Sequence, residues 1–126
     1  METRIVLTGI LKDNDLYLVV KRNNNDDLFP GAWEFPGGHL EDNETIFEGL
    51  KRELKEEIGY DLVSKPIITN YSDSIKNNIH KIELDFFINV NKDDINVILS
   101  DEHSDYKWVT KDSELLDDFI KSKINN

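Results

Sequence analysis

The sequence predicts an α/β protein of the α+β type, in which α-helices cover a mixed β-sheet. Segments rich in Val, Ile and Leu lie on both sides of a segment with helical periodicity, and a second amphipathic segment closes the chain. The 126 residues are 38% hydrophobic and 33% charged, which is typical of a folded domain. A chain of this length can bury one core, so we expect a single domain, residues 1–126.

The strands are predicted from apolar runs that are rich in β-branched residues and bounded by turn residues. Asp-Asn-Asp forms the turn between the first two. A polar loop at residues 22–32 leads to a short extended segment that ends at Pro36. The predicted strands are residues 3–12, 15–22, 33–36, 62–72, 79–90 and 105–110.

The strand at residues 79–90 has the plainest periodicity. Ile82, Leu84 and Phe86 alternate with Lys, Glu and Asp, which is the pattern of a strand with one face buried.

The central helix is predicted at residues 45–58. Thr45 and Glu48 have the spacing of a capping box, in which each side chain accepts from the other residue's amide. Gly59 suits the left-handed residue that follows a helix. At about 100° per residue, the apolar positions in one narrow arc are Phe47, Leu50, Leu54 and Ile58.

A second arc of the same helix collects carboxylates. Glu53, Glu56 and Glu57 lie within about 100° of one another, and like charges at such spacings repel by roughly 0.2–0.5 kcal/mol per pair. Gly49 shares the arc at a cost of about 1 kcal/mol, so we expect a ligand or a neighbouring loop to come close there. The arc is either a solvated acidic face or a site for Mg²⁺ or Mn²⁺, which prefer oxygen ligands.

The chain is predicted to end in an amphipathic helix at residues 113–124. Its N-cap would be Ser113 or Asp112, because either side chain can accept from the first free amides of the helix.

The net charge of −11 excludes several functions. A surface this acidic repels phosphate backbones, and stable nucleic-acid binding is therefore not expected. A small anionic substrate could still bind, but it would need a local cation. The apolar runs are far shorter than the roughly 20 residues of a membrane helix. The N-terminus lacks the pattern of a signal peptide, and the chain has no cysteine. We therefore expect a cytoplasmic protein with no membrane partner.

The spacing around the central helix resembles a known family. Gly38, five residues, Glu44, seven residues and then Arg-Glu-Leu-x-Glu-Glu-x-Gly at residues 52–59 resemble the Nudix box of the MutT-like Nudix hydrolases. A chance match at ordinary residue frequencies is about one in 10⁸ to 10⁹ per window. The last box position is usually a bulky aliphatic residue and here is Tyr60. Similar flanking segments, Trp-Glu-Phe-Pro-Gly-Gly before the box and Trp-Val near the end, extend the resemblance over most of the chain.

The resemblance implies a Nudix fold, a mixed sheet sandwiched between helices with the box as a loop–helix–loop. It implies hydrolysis of a nucleoside diphosphate linked to a further group X, with a divalent cation, usually Mg²⁺, as cofactor and Mn²⁺ as its substitute. Such chemistry agrees with the residues, because pyrophosphate hydrolysis needs charge neutralisation and a deprotonated water.

The resemblance also implies roles for single residues. Glu53 would be a metal ligand or the base that activates water. Arg52 would orient Glu53 through an ion pair, and Glu44 would support the site from behind. The further metal ligands would be the backbone carbonyl of Gly37 and the side chains of Glu56 and Glu57.

One more acid is expected from a loop after the box. Glu102 is our candidate because it shortly precedes the strand with Trp108, with Asp101 and Asp105 as rivals and a solvated loop as the alternative. His103, beside it, would either assist this acid or face solvent, and we expect it to face solvent.

Weaker candidates for substrate contact lie at element ends. Arg22 would reach a terminal phosphate or simply end its strand in solvent. Gly38 and His39 would approach a phosphate or a base, with an exposed loop histidine as the alternative. Asp117 and Asp118, placed in the second turn of the last helix, would bind a purine edge or be ordinary surface acids.

The leading hypothesis is a Mg²⁺-dependent pyrophosphohydrolase that cleaves a small nucleotide substrate, most simply a (d)NTP, to the nucleoside monophosphate and pyrophosphate. The alternatives are cleavage of ADP-ribose or a nucleotide sugar, and a nucleotide-binding sensor domain without activity. Exposed strand edges make a homodimer a further expectation.

Overall fold

The computed structural model describes residues 1–24 and 29–124 and has the predicted architecture, a mixed sheet between helices. The middle of the predicted polar loop, residues 25–28, lies outside the described residues. Every helix within the described ranges falls short of the length and hydrophobicity of a membrane span. The elements are β1 (Glu2–Asp13), β2 (Leu16–Arg22), β3 (Trp33–Glu34), β4 (Gly37–His39), α1 (Ile46–Ile58), β5 (Ile68–Lys76), β6 (Ile79–Asn89), a 3₁₀ turn (Lys92–Asp94), β7 (His103–Val109) and α2 (Asp118–Ser122).

Strand β1 lies at the centre of the sheet. It pairs in parallel with β6 along almost its whole length, and β6 pairs with β5 in an antiparallel hairpin. On its other side, β1 pairs with β2 only near their common turn, whereas its middle residues pair with β4. Strand β2 diverges from β1 and pairs with β3 and β7 instead. This divergence opens the sheet beside β4.

The two faces of the sheet bury separate clusters of side chains. Successive residues of a strand point to opposite faces, so Leu11 packs in one cluster and Ile10 in the other. The first cluster includes Leu50, Leu54 and Ile58 of α1. The second includes Leu116, Ile120 and Ile124 from the C-terminal segment. Helical layers therefore cover both faces, as predicted.

The strand predicted at residues 62–72 begins and ends later, at Ile68–Lys76. Pro66 has no N–H to donate to a strand ladder, and the strand starts only after it. At its other end, Asn77 and Asn78 have φ values of 52° and 62°, the positive angles of a type I′ hairpin turn. The Asn-Asn turn therefore extends β5 beyond the predicted limit.

The polar face of β6 is not simply solvated. Asp85 is fully buried, because Lys123 covers it with its Nζ 2.9 Å from Asp85 Oδ1 and 2.9 Å from Glu83 Oε2. Burial raises the pKa of Asp85 even beside this lysine. The predicted alternation along β6 is present. The face with Asp85, expected to be exposed, is instead partly buried by the C-terminal segment.

The helix predicted at residues 113–124 is wrong in its start and length. Helix α2 covers only Asp118–Ser122, and its N-cap is Asp117, whose Oδ1 accepts from the Ile120 amide at 2.8 Å. Ser113 instead accepts from the Leu115 amide at 3.2 Å, so its hydroxyl stabilises a turn rather than a helix.

Candidate active site

Helix α1 begins and ends where the sequence predicts. Thr45 Oγ1 accepts from the Glu48 amide at 3.1 Å, and Glu48 Oε1 accepts from the Thr45 amide at 3.0 Å, which confirms the capping box. Gly59 has a φ of 72° and ends the helix in the left-handed conformation. The caps fix the extent of the helix, and burial of Leu50, Leu54 and Ile58 in the core orients it and its carboxylate arc.

Gly49 of α1 accommodates a neighbouring loop. A Cβ on this residue would lie 2.6 Å from Leu40 Cδ1 and 2.9 Å from Leu7 Cδ1. The sequence predicts either a ligand or a neighbouring loop beside this glycine, and the structure places the loop with Leu40 there.

A cavity of about 500 Å³ lies between α1, β4 and the turn that precedes β7. The predicted site residues that line it are Gly37, Gly38, His39, Arg52, Glu53, Glu56, Glu57 and Glu102. The fold therefore brings together most of the residues to which the resemblance assigns a role.

Arg52 joins several groups around this cavity. Its Nε and Nη2 bind the two carboxylate oxygens of Glu44 at 2.6 and 2.9 Å. Its Nη1 lies 2.9 Å from Glu53 Oε1 and 3.3 Å from Glu56 Oε2, and Nη2 also donates to the carbonyl of His39 at 3.0 Å. The expected ion pair between Arg52 and Glu53 is present, and Glu44 supports it from outside the cavity lining.

The surroundings shift two of the carboxyl groups in opposite directions. The hydrogen bonds from Arg52 and from the Glu41 amide lower the pKa of Glu44 to about 2. Burial raises the pKa of Glu53, and the negative charges of Glu57 and Glu56 act in the same direction against the hydrogen bond from Arg52. The repulsion inferred from helix geometry therefore adds to the effect of burial at Glu53.

Glu57 and two glycines form the inner wall of the cavity. Glu57 is 5% exposed, and its Oε1 accepts from the Gly37 amide at 2.9 Å. Gly37 has a φ of 156°, and a Cβ there would collide with the backbone of Leu7. A Cβ on Gly38 would lie about 2.5 Å from Glu53 Cδ. Glycine at both positions lets β4 approach the carboxylates closely.

The expectation that His103 faces solvent is wrong. Its side chain is 2% exposed, and Nε2 lies 3.0 Å from Glu34 Oε2. Nδ1 lies 3.2 Å from Glu57 Oε2, which is an ion-pair distance without hydrogen-bond geometry. Burial alone would lower the pKa of His103, but the two carboxylates raise it to about 9. No local pattern indicates this burial, because it arises from contacts with Glu34 of β3 and Glu57 of α1, which are distant from His103 in the sequence.

The turn before β7 brings two acids to the cavity. Glu102 lines it, and so does its rival Asp101, whereas Asp105 lies within β7 and outside the lining. The Glu102 carbonyl accepts from the Asn23 amide at 3.0 Å, which ties this turn to the end of β2. Both Glu102 and Asp101 remain candidates for the loop acid.

Three of the weaker substrate candidates lie outside the cavity lining. Arg22 Nη1 is 3.2 Å from Glu34 Oε1, within the strand layer. Asp117 caps α2 and Asp118 is exposed in its first turn, on the opposite face of the sheet from α1. His39 lines the cavity with an exposed side chain, as a contact to a ligand would require.

The carboxylates of the cavity fit a divalent cation in their chemistry. Glu53, Glu56 and Glu57 offer hard oxygen atoms, and a cation would relieve the negative surroundings that raise the pKa of Glu53. Across residues 1–24 and 29–124, no group of three or more acidic, histidine or cysteine side chains is already arranged to hold a metal ion. Arg52 and the Gly37 amide contact carboxylate oxygens here, so a cation would compete with these contacts.

Comparisons with known proteins agree with this arrangement. The family model described as NUDIX domain matches residues 2–124. The chain is 32% identical over 120 residues to proteins named nucleoside triphosphatase NudI from Salmonella paratyphi B and Salmonella typhimurium. Each alignment covers 86% of this chain and 83% of the relative.

Solved structures share the fold. A MutT protein from Methanosarcina mazei Go1 superposes with a TM-score of 0.80 and 25% identity, covering 97% of this chain and 90% of that one. A MutT NUDIX hydrolase from Burkholderia pseudomallei has a TM-score of 0.79 at 20% identity, covering 98% and 97%.

Proposed function

The chain belongs to the Nudix family and is a Nudix hydrolase, and we propose that it is a Mg²⁺-dependent pyrophosphohydrolase of free nucleotides. Its substrate would be a (d)NTP, cleaved to the nucleoside monophosphate and pyrophosphate, with Mn²⁺ able to replace Mg²⁺. The observation that carries the proposal is the meeting of three glutamates from one helix with a glycine strand at a single cavity. The nucleoside triphosphatase name of the Salmonella relatives supports a triphosphate substrate.

The proposed metal ligands surround that cavity. Besides Glu53 they are the carbonyl of Gly37 and the carboxylates of Glu56, Glu57 and Glu102. When bound, a divalent cation would neutralise the phosphate charges and lower the pKa of a water molecule.

Glu53 would accept the proton of the attacking water. Its carboxylate lines the cavity, and its side chain is only 13% exposed, which limits competition from bulk solvent. Arg52 would hold the Glu53 oxygen at a fixed place, and Glu44 would hold the guanidinium in turn. The three residues thus act as a chain that positions the base.

Substrate contacts are proposed at two levels. Gly38 and His39 line the cavity and would face the phosphates directly. Arg22, Asp117 and Asp118 lie farther away and would contact only a part of the nucleotide that extends beyond the cavity. Their role therefore stays a prediction that depends on the size of X.

The test is a hydrolysis screen of purified protein against (d)NTPs, ADP-ribose, a nucleotide sugar, NADH and dinucleoside polyphosphates, with Mg²⁺, Mn²⁺ or EDTA. Chromatography of the products should show a nucleoside monophosphate and pyrophosphate from at least one (d)NTP, and no turnover in EDTA. Preferred cleavage of ADP-ribose or a nucleotide sugar would establish the first alternative. Nucleotide binding without turnover of any compound would establish the sensor.

A homodimer is proposed through the open edge of the sheet. Among the described strands, β5 pairs only with β6, and its exposed apolar side chains include Ile68, Tyr71 and Ile75. An unpaired edge with apolar side chains can pair with a second copy. Light scattering after size-exclusion chromatography would measure the mass directly, and a monomer at micromolar concentration would contradict this proposal.

A further inference from the structure

His103 is a buried polar residue for which the reaction outlined above has no role. It is the first residue of β7 and directly follows Glu102. Its ring lies between Glu34, from β3, and Glu57, from α1. A buried ring between two carboxylates is expensive to desolvate, so its presence calls for a reason other than filling space.

The two ring nitrogens have different surroundings. Nε2 makes a hydrogen bond of 3.0 Å with Glu34 Oε2, and Glu34 in turn lies 3.2 Å from Arg22 Nη1. Nδ1 lies 3.2 Å from Glu57 Oε2 and, among residues 1–24 and 29–124, has no partner with hydrogen-bond geometry. The ring is therefore anchored on the Glu34 side and presents a free donor position to Glu57.

Groups from two different strands approach the two carboxylate oxygens of Glu57. The Gly37 amide donates to Oε1 at 2.9 Å, while His103 approaches Oε2. Because the two groups come from different strands, rotation of the carboxylate would lose at least one contact. Its orientation toward the cavity is thereby restricted.

The backbone around His103 connects the same elements. The Ser100 amide donates to the Glu57 carbonyl at 3.2 Å, and the His103 amide donates to the Ser100 carbonyl at 3.2 Å. The turn that carries Glu102 is therefore attached to the end of α1. The His103 side chain adds a second attachment between this turn and the same residue, Glu57.

We propose that His103 is a positioning residue for metal binding, which orients the Glu57 carboxylate through Nδ1 and is itself anchored to Glu34 through Nε2. The inference rests on the proposed function, since it assumes that Glu57 is a metal ligand. Groups that contact a metal ligand from behind fix its orientation, and their loss typically weakens metal binding by about 10- to 100-fold. His103 has that place relative to Glu57.

Two conservative variants separate positioning from packing. The amide nitrogen of Asn takes a place similar to Nδ1, and that of Gln a place similar to Nε2. His103→Asn keeps a donor toward Glu57 and loses the one toward Glu34, whereas His103→Gln does the reverse. Positioning predicts metal affinity near that of the wild type for His103→Asn and an affinity about 10- to 100-fold weaker for His103→Gln.

The experiment is a Mn²⁺ titration followed by electron paramagnetic resonance, without nucleotide, on the wild type and both variants. Thermal unfolding by circular dichroism confirms that each variant is folded at the titration temperature. His80→Asn is the matched control, because His80 Nε2 pairs with Asp73 Oδ2 at 2.7 Å on the β5–β6 hairpin, away from the cavity lining. It should bind Mn²⁺ as the wild type does.

The outcomes separate the two proposals. Weak binding by His103→Gln with retained binding by His103→Asn supports positioning. Equal affinities of both variants, or the reverse order, overturn it while leaving the proposed function intact. Failure of the wild type to bind Mn²⁺ and to hydrolyse any nucleotide overturns the proposed function and this inference with it.

Discussion

Arg52 donates a hydrogen bond to each carboxylate oxygen of Glu44, with Nε 2.6 Å from Oε2 and Nη2 2.9 Å from Oε1. The remaining guanidinium nitrogen, Nη1, reaches Glu53 at 2.9 Å. A bidentate pair outside the cavity thus fixes the Arg52 guanidinium, which in turn fixes the proposed base. Glu44 therefore acts on the proposed base only through Arg52, and this arrangement leads to the first two predictions.

Replacing Arg52 by Lys should reduce turnover by at least about tenfold, because an ammonium cannot make the planar bidentate pair and still reach Glu53. The lost hydrogen bonds should also lower the free energy of unfolding by about 1–3 kcal/mol. Steady-state kinetics and urea unfolding would measure both effects. As a control, Lys55→Met removes an exposed pair with Asp61 and should change stability by no more than about 0.5 kcal/mol.

Acid should remove the stabilisation that Glu44 contributes. Its pKa is about 2 in the folded protein against an ordinary 4.5, so the contribution is full above pH 4.5 and is lost as the pH falls toward 2. The difference in unfolding free energy between the wild type and Glu44→Gln should therefore narrow over that range. Urea unfolding at pH 6, 4.5 and 3 would measure it, and a constant difference would contradict the folded-state pKa.

Glu53→Gln should lower turnover by about 10²–10⁴-fold, because the amide cannot accept the proton of water. The fold should survive, since Gln has the same shape. Glu48→Gln is the matched control on the same helix, as Glu48 caps α1 and does not line the cavity. Activity near that of the wild type in Glu53→Gln, measured by pyrophosphate release, would exclude this residue as the base.

The two adjacent glycines should respond differently to alanine. Gly37→Ala forces a Cβ against the Leu7 backbone at a φ of 156°, so it should lower stability by about 1–3 kcal/mol. The three atoms nearest to a Cβ on Gly38 belong to the flexible end of Glu53, so Gly38→Ala should displace that carboxylate, leave stability almost unchanged and reduce activity. Melting curves and turnover of both variants would separate the effects. Full activity of Gly38→Ala would show that Glu53 need not lie where the structure places it.

Magnesium should raise the melting temperature, because a cation that binds only the folded state stabilises it by mass action. At a concentration 100 times the dissociation constant, the gain is about 2.7 kcal/mol. Differential scanning fluorimetry with 1–20 mM Mg²⁺, against NaCl of equal ionic strength, would measure the shift. Glu56→Gln and Glu57→Gln should reduce it, and an equal shift in NaCl would point to general screening of the −11 charge.

Much of the site could be predicted from short segments of the chain. Thr45, Glu48 and Gly59 define the ends of α1, because capping acts within one helical turn. The spacing of Glu53 and Glu57 places both on one side of the helix. Ser113 shows the limit of local pattern. Its hydroxyl can cap a helix or stabilise a turn, and in the structure it stabilises a turn.

Local pattern was therefore enough for the helix, its carboxylate arc and the family, because each depends on residues a few positions apart. The burial of His103 and of Asp85 depended on packing between distant segments. His103 is covered by residues of α1 and β3, and Asp85 is covered by Lys123 from the C-terminal segment. Whether a polar side chain contacts water or another charged group depends on which distant segment packs over it. The spacing of neighbouring residues along the chain does not indicate which segment that will be.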